Sequence, residues 1–529
     1  MERAIVPSRP SRASGYRRIP AAPDWVKPSR WEKAIAKVAP RRAREMYKTR
    51  VMMELAQYRG SEIHRLRAGW LTSEDDITPD NWELNKLRER SRDLNRNDPV
   101  ASGATETMAM NIVGQGLRPQ ARIRADYLNV SEDRAKEIQR QAENVWSLWT
   151  PNADAANKLD FSEIQFLALR KIIEDGETIA IPIMADEKWR PIKRAIELVE
   201  SDRLAMVKGA TPLTGDTGID VGDRGQPIKY HITKEADGPG KLEEAIINAR
   251  DSRGRLKVLH VFPTKRPGQL RGIPYFAPVL THFKDLADYM EAEIVAARVA
   301  ACLAVFITKE GAFDMPTANA TDTETSTNAK IQSIEPGLIG YLNPGENINV
   351  VEPKRPGDSF EPFIEGLLRM IGMALGIPYE ILAKDFSKTN YSSARAALLE
   401  GRRMFTTWRS WFSRKFCQVI YDLVLEEAFL RGLFDVPEFY RYRTEYTRAV
   451  WIGGSWGWVD PVKEVEASRK AIDYGLSTLA EEAAGQGRDW EEIMDQQARE
   501  YAQADKKGVP IMRSNKQDDG TYGQDKTAQ

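Results

Sequence analysis

The stretch Asp385 to Phe405, DFSKTNYSSARAALLEGRRMF, sets two adjacent serines beside a run of cations. A serine nucleophile needs a base within hydrogen-bond reach. Here Ser392-Ser393-Ala394-Arg395 is not S-x-x-K, and no histidine is near in sequence. The simpler role for Ser392 or Ser393 is to cap a helix by accepting backbone N–H groups. The cations suggest a larger partner. Between 384 and 415, Lys384, Lys388, Arg395, Arg402, Arg403, Arg409, Arg414 and Lys415 stand against only Asp385 and Glu400. Such a surface is either solvated or meets a phosphate backbone without reading bases.

Other candidate chemistry is weaker. Gly453-Gly454-Ser455-Trp456-Gly457 matches G-x-S-x-G, but a nucleophile elbow needs a helix at the serine and a later histidine. The helix signal comes only at Asp460-Pro461 and no histidine follows His282, so a Trp-rich packing turn is expected. No phosphate-binding G-x-x-x-x-G-K-[ST] occurs, and Gly114-Gln115-Gly116 follows a helix where a dinucleotide site requires a strand. His64, His231, His260 and His282 share no ligand spacing and read as satisfied structural residues. Cys302 and Cys417 read as small buried hydrophobes in a reducing compartment. No catalytic group, metal or cofactor is expected.

The 529 residues, with 77 basic and 77 acidic side chains, carry no net charge and are long enough for several structural units. The balance is uneven, because residues 1–50 hold 14 Lys or Arg against four Asp or Glu. No secretory signal opens the chain. Its most apolar stretch, Ile294 to Ile307, contains Arg298 and is too short for a bilayer, so no membrane contact is expected.

These residues need elements to position them. Helices are expected around Asp98-Pro99, from Ser131 through Trp146 and Trp149, and from Phe161 to Ile173. ETIAIPI, AIELVES, PIKYHIT and KVLHVF read as strands, which makes residues 51–277 an α+β unit. An alanine-rich helix then runs past Ala292, Ala296, Ala297, Ala300 and Ala301, with Asp285 and Asp288 on its acidic side. A low-complexity insert and a short β-like piece separate it from a second helix, Phe360 to Leu375. Together they form an antiparallel hairpin with an elaborated tip. A helix of almost 60 Å is expected from Ser393 to about Arg431, at about 1.5 Å per residue, with a bend at Gly401. A helix capped by Asp460 follows, and two more begin at Thr478 and Asp489.

LNRNDPVASGATETMAMNIVGQGLRP, VLHVFPTKRPGQLRGIPYFAPVLTHFKDLADYMEAEIVAARVAA, LGIPYEILAKDFSKTNYSSARAALLEGRRMF and GGSWGWVDPVKEVEASRKAIDYGLST together resemble the lambda-like portal proteins of tailed bacteriophages. The resemblance covers most of residues 80–500. It implies the portal fold: a basic, partly disordered arm (1–50), a wing (51–277) and a stem of two helices (278–305 and 357–382). A β-containing clip (306–356), a tunnel loop (383–391) and a long helix into the wing (392–432) complete the pattern. Wing and crown helices (433–505) and a disordered tail (506–529) end it.

A member of this family is a ring, usually of twelve subunits, at one capsid vertex. Double-stranded DNA passes through it without sequence specificity, in packaging and in ejection. The implied DNA-channel residues are Lys384, Asp385, Ser387, Lys388, Asn390, Arg395, Arg402 and Arg403. Asp285, Asp288, Ala292, Ala296, Ala297 and Ala300 would pack subunits in the stem. The implied partners are the terminase large subunit, major capsid and scaffold proteins, and head-completion or connector proteins. The implied location is the virion, with the host cytoplasm during assembly. Two rival readings are a monomeric DNA-binding protein using its basic arm and, more remotely, a serine hydrolase.

Overall fold

The computed structural model describes residues 77–204, 217–235, 242–301, 305–309, 346–350, 360–457 and 459–509. Helix α1 (Ile77–Asn97) stops at Asp98, whose carboxylate accepts from the Ala101 N–H at 2.7 Å and caps α2 (Pro99–Ile112). Pro99 suits the first helical position because its missing N–H would have no intrahelical acceptor. Strand β1 (Arg118–Ala121) and the short α3 (Ala125–Leu128) lead to α4 (Glu132–Trp149), capped by Ser131 as the sequence predicts. Helix α5 (Phe161–Asp175) starts with a reciprocal capping box between Asp160 and Glu163.

Strands β2 (Thr178–Met184), β3 (Arg194–Val199), β4 (Ile219–Val221), β5 (Pro227–Glu235), β6 (Leu242–Asn248) and β7 (Leu259–Val261) build two antiparallel sheets. Their orders are β3-β2-β7 and β4-β5-β6. Where α5 meets β2, two backbones cross in contact. A Cβ on Gly176 would lie 2.3 Å from the Ile273 carbonyl carbon, and one on Gly272 would lie 2.1 Å from the Gly176 oxygen. Beside the crossing, the Glu177 carboxylate is fully buried. It accepts from Arg271 Nη2 and the Gly272 N–H, each at 2.7 Å, and pairs with Arg88 at 2.7 Å and His260 at 3.1 Å. Burial alone would raise its pKa, but Arg271 and Arg88 outweigh this and hold it well below the usual range.

The chain then forms the expected hairpin from α6 (Leu280–Ala301) and α7 (Phe360–Leu375). Between them, β8 (Val305–Lys309) pairs antiparallel with β9 (Glu346–Val350). Tyr289 packs on Phe363 at 4.6 Å, while the Tyr275 hydroxyl donates to the Leu375 carbonyl at 2.8 Å near the other end. Helix α7 stops at Leu375, where the sequence reading ends it. A turn through Gly376, at φ 67°, leads into α8 (Tyr379–Leu382).

The long helix differs from expectation at its irregularity. Helix α9 (Tyr391–Phe412) continues unbroken through Gly401, and a π turn at Ser413–Cys417 joins it to α10 (Gln418–Leu430). A Cβ on Gly401 would meet Ile381 Cδ1 at 2.3 Å, so the glycine lets α8 lie against α9. Helix α11 (Arg443–Tyr446) precedes β10 (Ala449–Ile452), which pairs with β1 and returns the chain to the main core. There Trp146 contacts Trp149, Phe161, Tyr421 and Trp451 at 4.8, 4.9, 5.3 and 5.7 Å. Cys417 is buried, and burial pushes its thiol pKa far up. Helices α12 (Pro461–Asp473), α13 (Leu479–Gly485) and α14 (Trp490–Lys507) begin after Asp460, Thr478 and Asp489, where the sequence places their starts, and all three side chains cap.

No described helix is long and apolar enough to cross a membrane. The basic arm, the low-complexity insert, the polar segment from 510 on, His64 and Cys302 lie outside the described residues.

Candidate functional site

The cation-rich stretch sits at the root of the α6–α7 hairpin. A Cβ on Gly372 would lie 2.5 Å from the Ile377 carbonyl oxygen, so only glycine lets the chain fold back this tightly. The Ile377 N–H donates to the Gly372 carbonyl at 2.8 Å, closing the end of α7. After α8, Lys384 takes a left-handed φ of 55° and turns the chain into the loop 383–390.

Short-range bonds shape that loop. The Ser387 N–H donates to Asp385 at 2.9 Å, and the Tyr379 hydroxyl reaches Asp385 at 3.4 Å. The loop closes at Asn390, whose side chain accepts from the Ser393 N–H at 2.8 Å. This corrects the capping expectation. Neither Ser392 nor Ser393 caps α9, because both already lie inside its first turn and Asn390 holds the cap position. Ser392 and Ser393 are exposed.

The structure divides the cations into two groups. Lys388 is paired, 2.6 Å from Glu361 and in contact with Glu365. Hydrogen bonds to Glu361 and then Glu365 raise its pKa. Arg369 holds Glu365 from the other side at 2.9 Å and covers the Tyr379 ring at 5.0 Å. Arg402 donates to the Gly457 carbonyl at 2.5 Å. Arg409 donates to the Ile112 and Asn111 carbonyls at 2.9 Å each, and lies 4.8 Å over Trp456. Lys384, Arg395 and Arg403 are exposed and form no ion pair among the described residues.

The G-x-S-x-G segment is the packing turn expected from its tryptophans. A Cβ on Gly453 would lie 2.5 Å from the Arg409 guanidinium carbon, and Trp456 stacks on Phe405 at 6.1 Å. Ser455 is exposed in non-helical backbone, and α12 begins only at Pro461.

His231 lies between Glu244 at 2.6 Å and Asp220 at 3.1 Å, and His260 bonds Glu177, as structural histidines should. His282 departs from that expectation, since its buried Nδ1 has no hydrogen-bond partner among the described residues. No described group of three or more His, Cys, Asp or Glu is placed to hold a metal ion.

On α6, Asp285, Ala292 and Ala297 are exposed, Ala296 is half-buried, and Asp288 is exposed and pairs with Lys284 at 2.6 Å. The side chain of Ala300 lies outside the described set. Sequence reasoning missed Glu361, Glu365, Arg369 and Tyr379 as partners of the loop. The four-residue spacing of Glu361, Glu365 and Arg369 was a usable signal, since it places them on one helical face.

Known proteins are similar over most of the chain. The portal protein of Escherichia phage N15 is 28% identical over 453 residues, covering 78% of this chain and 83% of that protein. Portal protein B of Escherichia phage lambda is 26% identical over 447 residues, covering 78% and 82%. A probable portal protein of Halomonas phage phiHAP-1 is 23% identical, covering 80% and 81%. Among solved structures, the neck of an empty GTA particle is 15% identical at a TM-score of 0.42, covering 77% of this chain and 93% of that one. Residues 64–409 match the family described as "Phage portal protein, lambda family". With more than half of its length matched, the chain belongs to the lambda family of phage portal proteins.

Proposed function

We propose that this portal protein closes into a ring of identical copies at one capsid vertex, twelve in the number the family resemblance implies. Double-stranded DNA passes through the ring during packaging and ejection. Head-to-tail contacts of one surface with another generate such a ring when the rotation closes. In this reading the α6–α7 hairpin is the stem, β8–β9 belongs to the clip, and the loop 383–390 faces the channel. The clip docks the terminase large subunit during packaging and connector proteins afterwards.

The observation that carries the channel assignment is the division of charge at the hairpin root. Lys384, Arg395 and Arg403 stay exposed and unpaired among the described residues, while Lys388 and Arg402 are engaged within the chain. A conduit has to hold phosphates weakly enough for DNA to slide, and each extra phosphate contact deepens a salt-dependent grip. A few free cations, on a chain whose α6 also exposes Asp285, Asp288 and Glu291, fit that requirement.

Electron microscopy of the purified protein tests the ring. Rings with a central hole are expected, and uniformly small particles under assembly conditions would reject it. The charge assignment has a separate test. Changing Lys384, Arg395 and Arg403 to Ala together should preserve rings and alter DNA packaging or retention. Normal packaging by such rings removes these residues from the channel.

A further inference from the structure

Beside the loop lies an open cleft of about 350 Å³. Met110 at the end of α2, Phe386 of the loop and Trp456 of the packing turn line it. Met110 is 62% exposed and Phe386 is 40% exposed, so the chain leaves both apolar edges uncovered. The lining also includes Lys384 and Arg402 against a single carboxylate, Glu380. A thioether and aromatic edges favour a ring. The excess positive charge favours acidic groups next to that ring.

Several segments outside the described residues set a ring beside carboxylates, Trp70 with Glu74 and Phe313 with Asp314 among them. The C-terminal one is tethered from a turn that touches the edge of the cleft. Residues 517–525 read Gln-Asp-Asp-Gly-Thr-Tyr-Gly-Gln-Asp, placing Tyr522 among Asp518, Asp519 and Asp525 with no cation between. Residues 1–50, with 14 basic and four acidic side chains, carry the wrong sign.

The chain also runs close to the cleft before reaching this segment. Gly487, at the turn between α13 and α14, approaches the packing turn so closely that a Cβ would lie 2.8 Å from the Gly453 oxygen. The 18 residues of α14 carry the chain at most about 27 Å from there, at about 1.5 Å each. The thirteen residues from 510 to 522 can return about 45 Å when extended. A tethered segment of that length has an effective concentration in the millimolar range, so even weak contacts suffice to fill a site.

We infer that residues 517–525 of the same chain occupy this cleft, with Tyr522 between Met110 and Phe386 and its acidic neighbours toward Lys384. The occupied cleft straps the loop from its outer side. This inference needs no ring, since it concerns contacts within one chain, but it engages Lys384 and so leaves Arg395 and Arg403 as the free cations when the cleft is occupied.

Photocrosslinking of the full-length protein, with benzoylphenylalanine in place of Tyr522, tests it. Crosslinks to 107–111, 380–386, 398–405 or 456–457 are expected in a species of single-chain mass. Crosslinks confined to other regions, or only between chains, overturn the proposal. In the same background Met110→Glu should lower the crosslink yield by about fivefold, through lost ring contact and added repulsion. That site is exposed, so circular dichroism and assembly should not change, and an undiminished yield overturns the proposal. Amide exchange gives a second measurement. Tyr522→Ala in the full chain should speed exchange at 384–387 by several-fold, and unchanged rates there also reject the strap.

Discussion

The Lys388 ammonium lies 2.6 Å from a carboxylate oxygen of Glu361, 27 residues earlier in the chain, and also contacts Glu365. The loop's central cation is thus spent on α7, and it ties the loop back along the hairpin. Exposed ion pairs are screened by salt and worth little singly. This one gains from Glu365, a mostly covered carboxylate that Arg369 also holds.

Lys388→Ala should therefore loosen the loop without disturbing assembly. Amide exchange across 385–389 is expected to quicken by a few-fold, and about 1 M salt should have a similar effect on the wild type. DNA retention should change less than in Lys384→Ala. An equal or larger retention defect would make Lys388 a direct phosphate contact.

Gly401→Ala places a methyl group where Ile381 Cδ1 stands 2.3 Å away. Overpacking of this kind costs about 1–3 kcal/mol, seen as a lower melting temperature. Adding Ile381→Ala makes room for the new methyl, so the double variant should recover part of the loss beyond simple additivity. Additive losses would place the strain elsewhere.

Glu177→Ala would leave Arg88 and Arg271 buried with no carboxylate between them. Breaking one side of a buried charge network costs about 3–5 kcal/mol, which denaturant unfolding can measure. Because the folded carboxyl is held below its ordinary value, its contribution is present above the unfolded pKa. It is lost as pH falls through the folded one. The wild type should therefore lose stability steeply in acid, and the variant less so.

Glu143 has the opposite sign. Burial, reinforced by the charges of Asp489, Glu491 and Glu492 and opposed by the Ala121 N–H, pushes its carboxyl up to about 7. Its favourable contribution is present below the unfolded value and is lost as pH rises through about 7. Glu143→Gln should raise stability by about 1–2 kcal/mol at pH 8, after allowance for solvent screening, and little at pH 5. Equal effects at both values would mean that charge is not the cause.

How much of this was legible in the sequence depends on the range of the interaction. Local signals read well: Ser131 and Asp460 cap their helices as expected, and two further helices start at Thr478 and Asp489. The serines at 392 and 393 misled because Asn390 takes the cap position and accepts from the Ser393 N–H. Strand β6, LEEAIIN, was missed because its acidic residues obscure the alternation until β5 pairs with it. Strand β1 contains Pro119 and exists through its pairing with β10, more than 300 residues away. The Lys388 pairs span 23 and 27 residues, beyond any local pattern. Family motifs identified what the molecule is, but not which cations stay free.

The glycine crossing at 176 and 272 has a mechanical consequence. With backbone against backbone and no side chain between them, that junction has no compliant layer to shear. It acts as a fulcrum at the hairpin's entry, reinforced by the ionic rivet of Glu177, Arg88 and Arg271. Past α8, beyond the hairpin's exit, the loop is held by exposed ion pairs and short loop bonds that yield far more readily. Force applied along the hairpin would therefore pivot about its first helix and be absorbed beyond its second, at the loop 383–390.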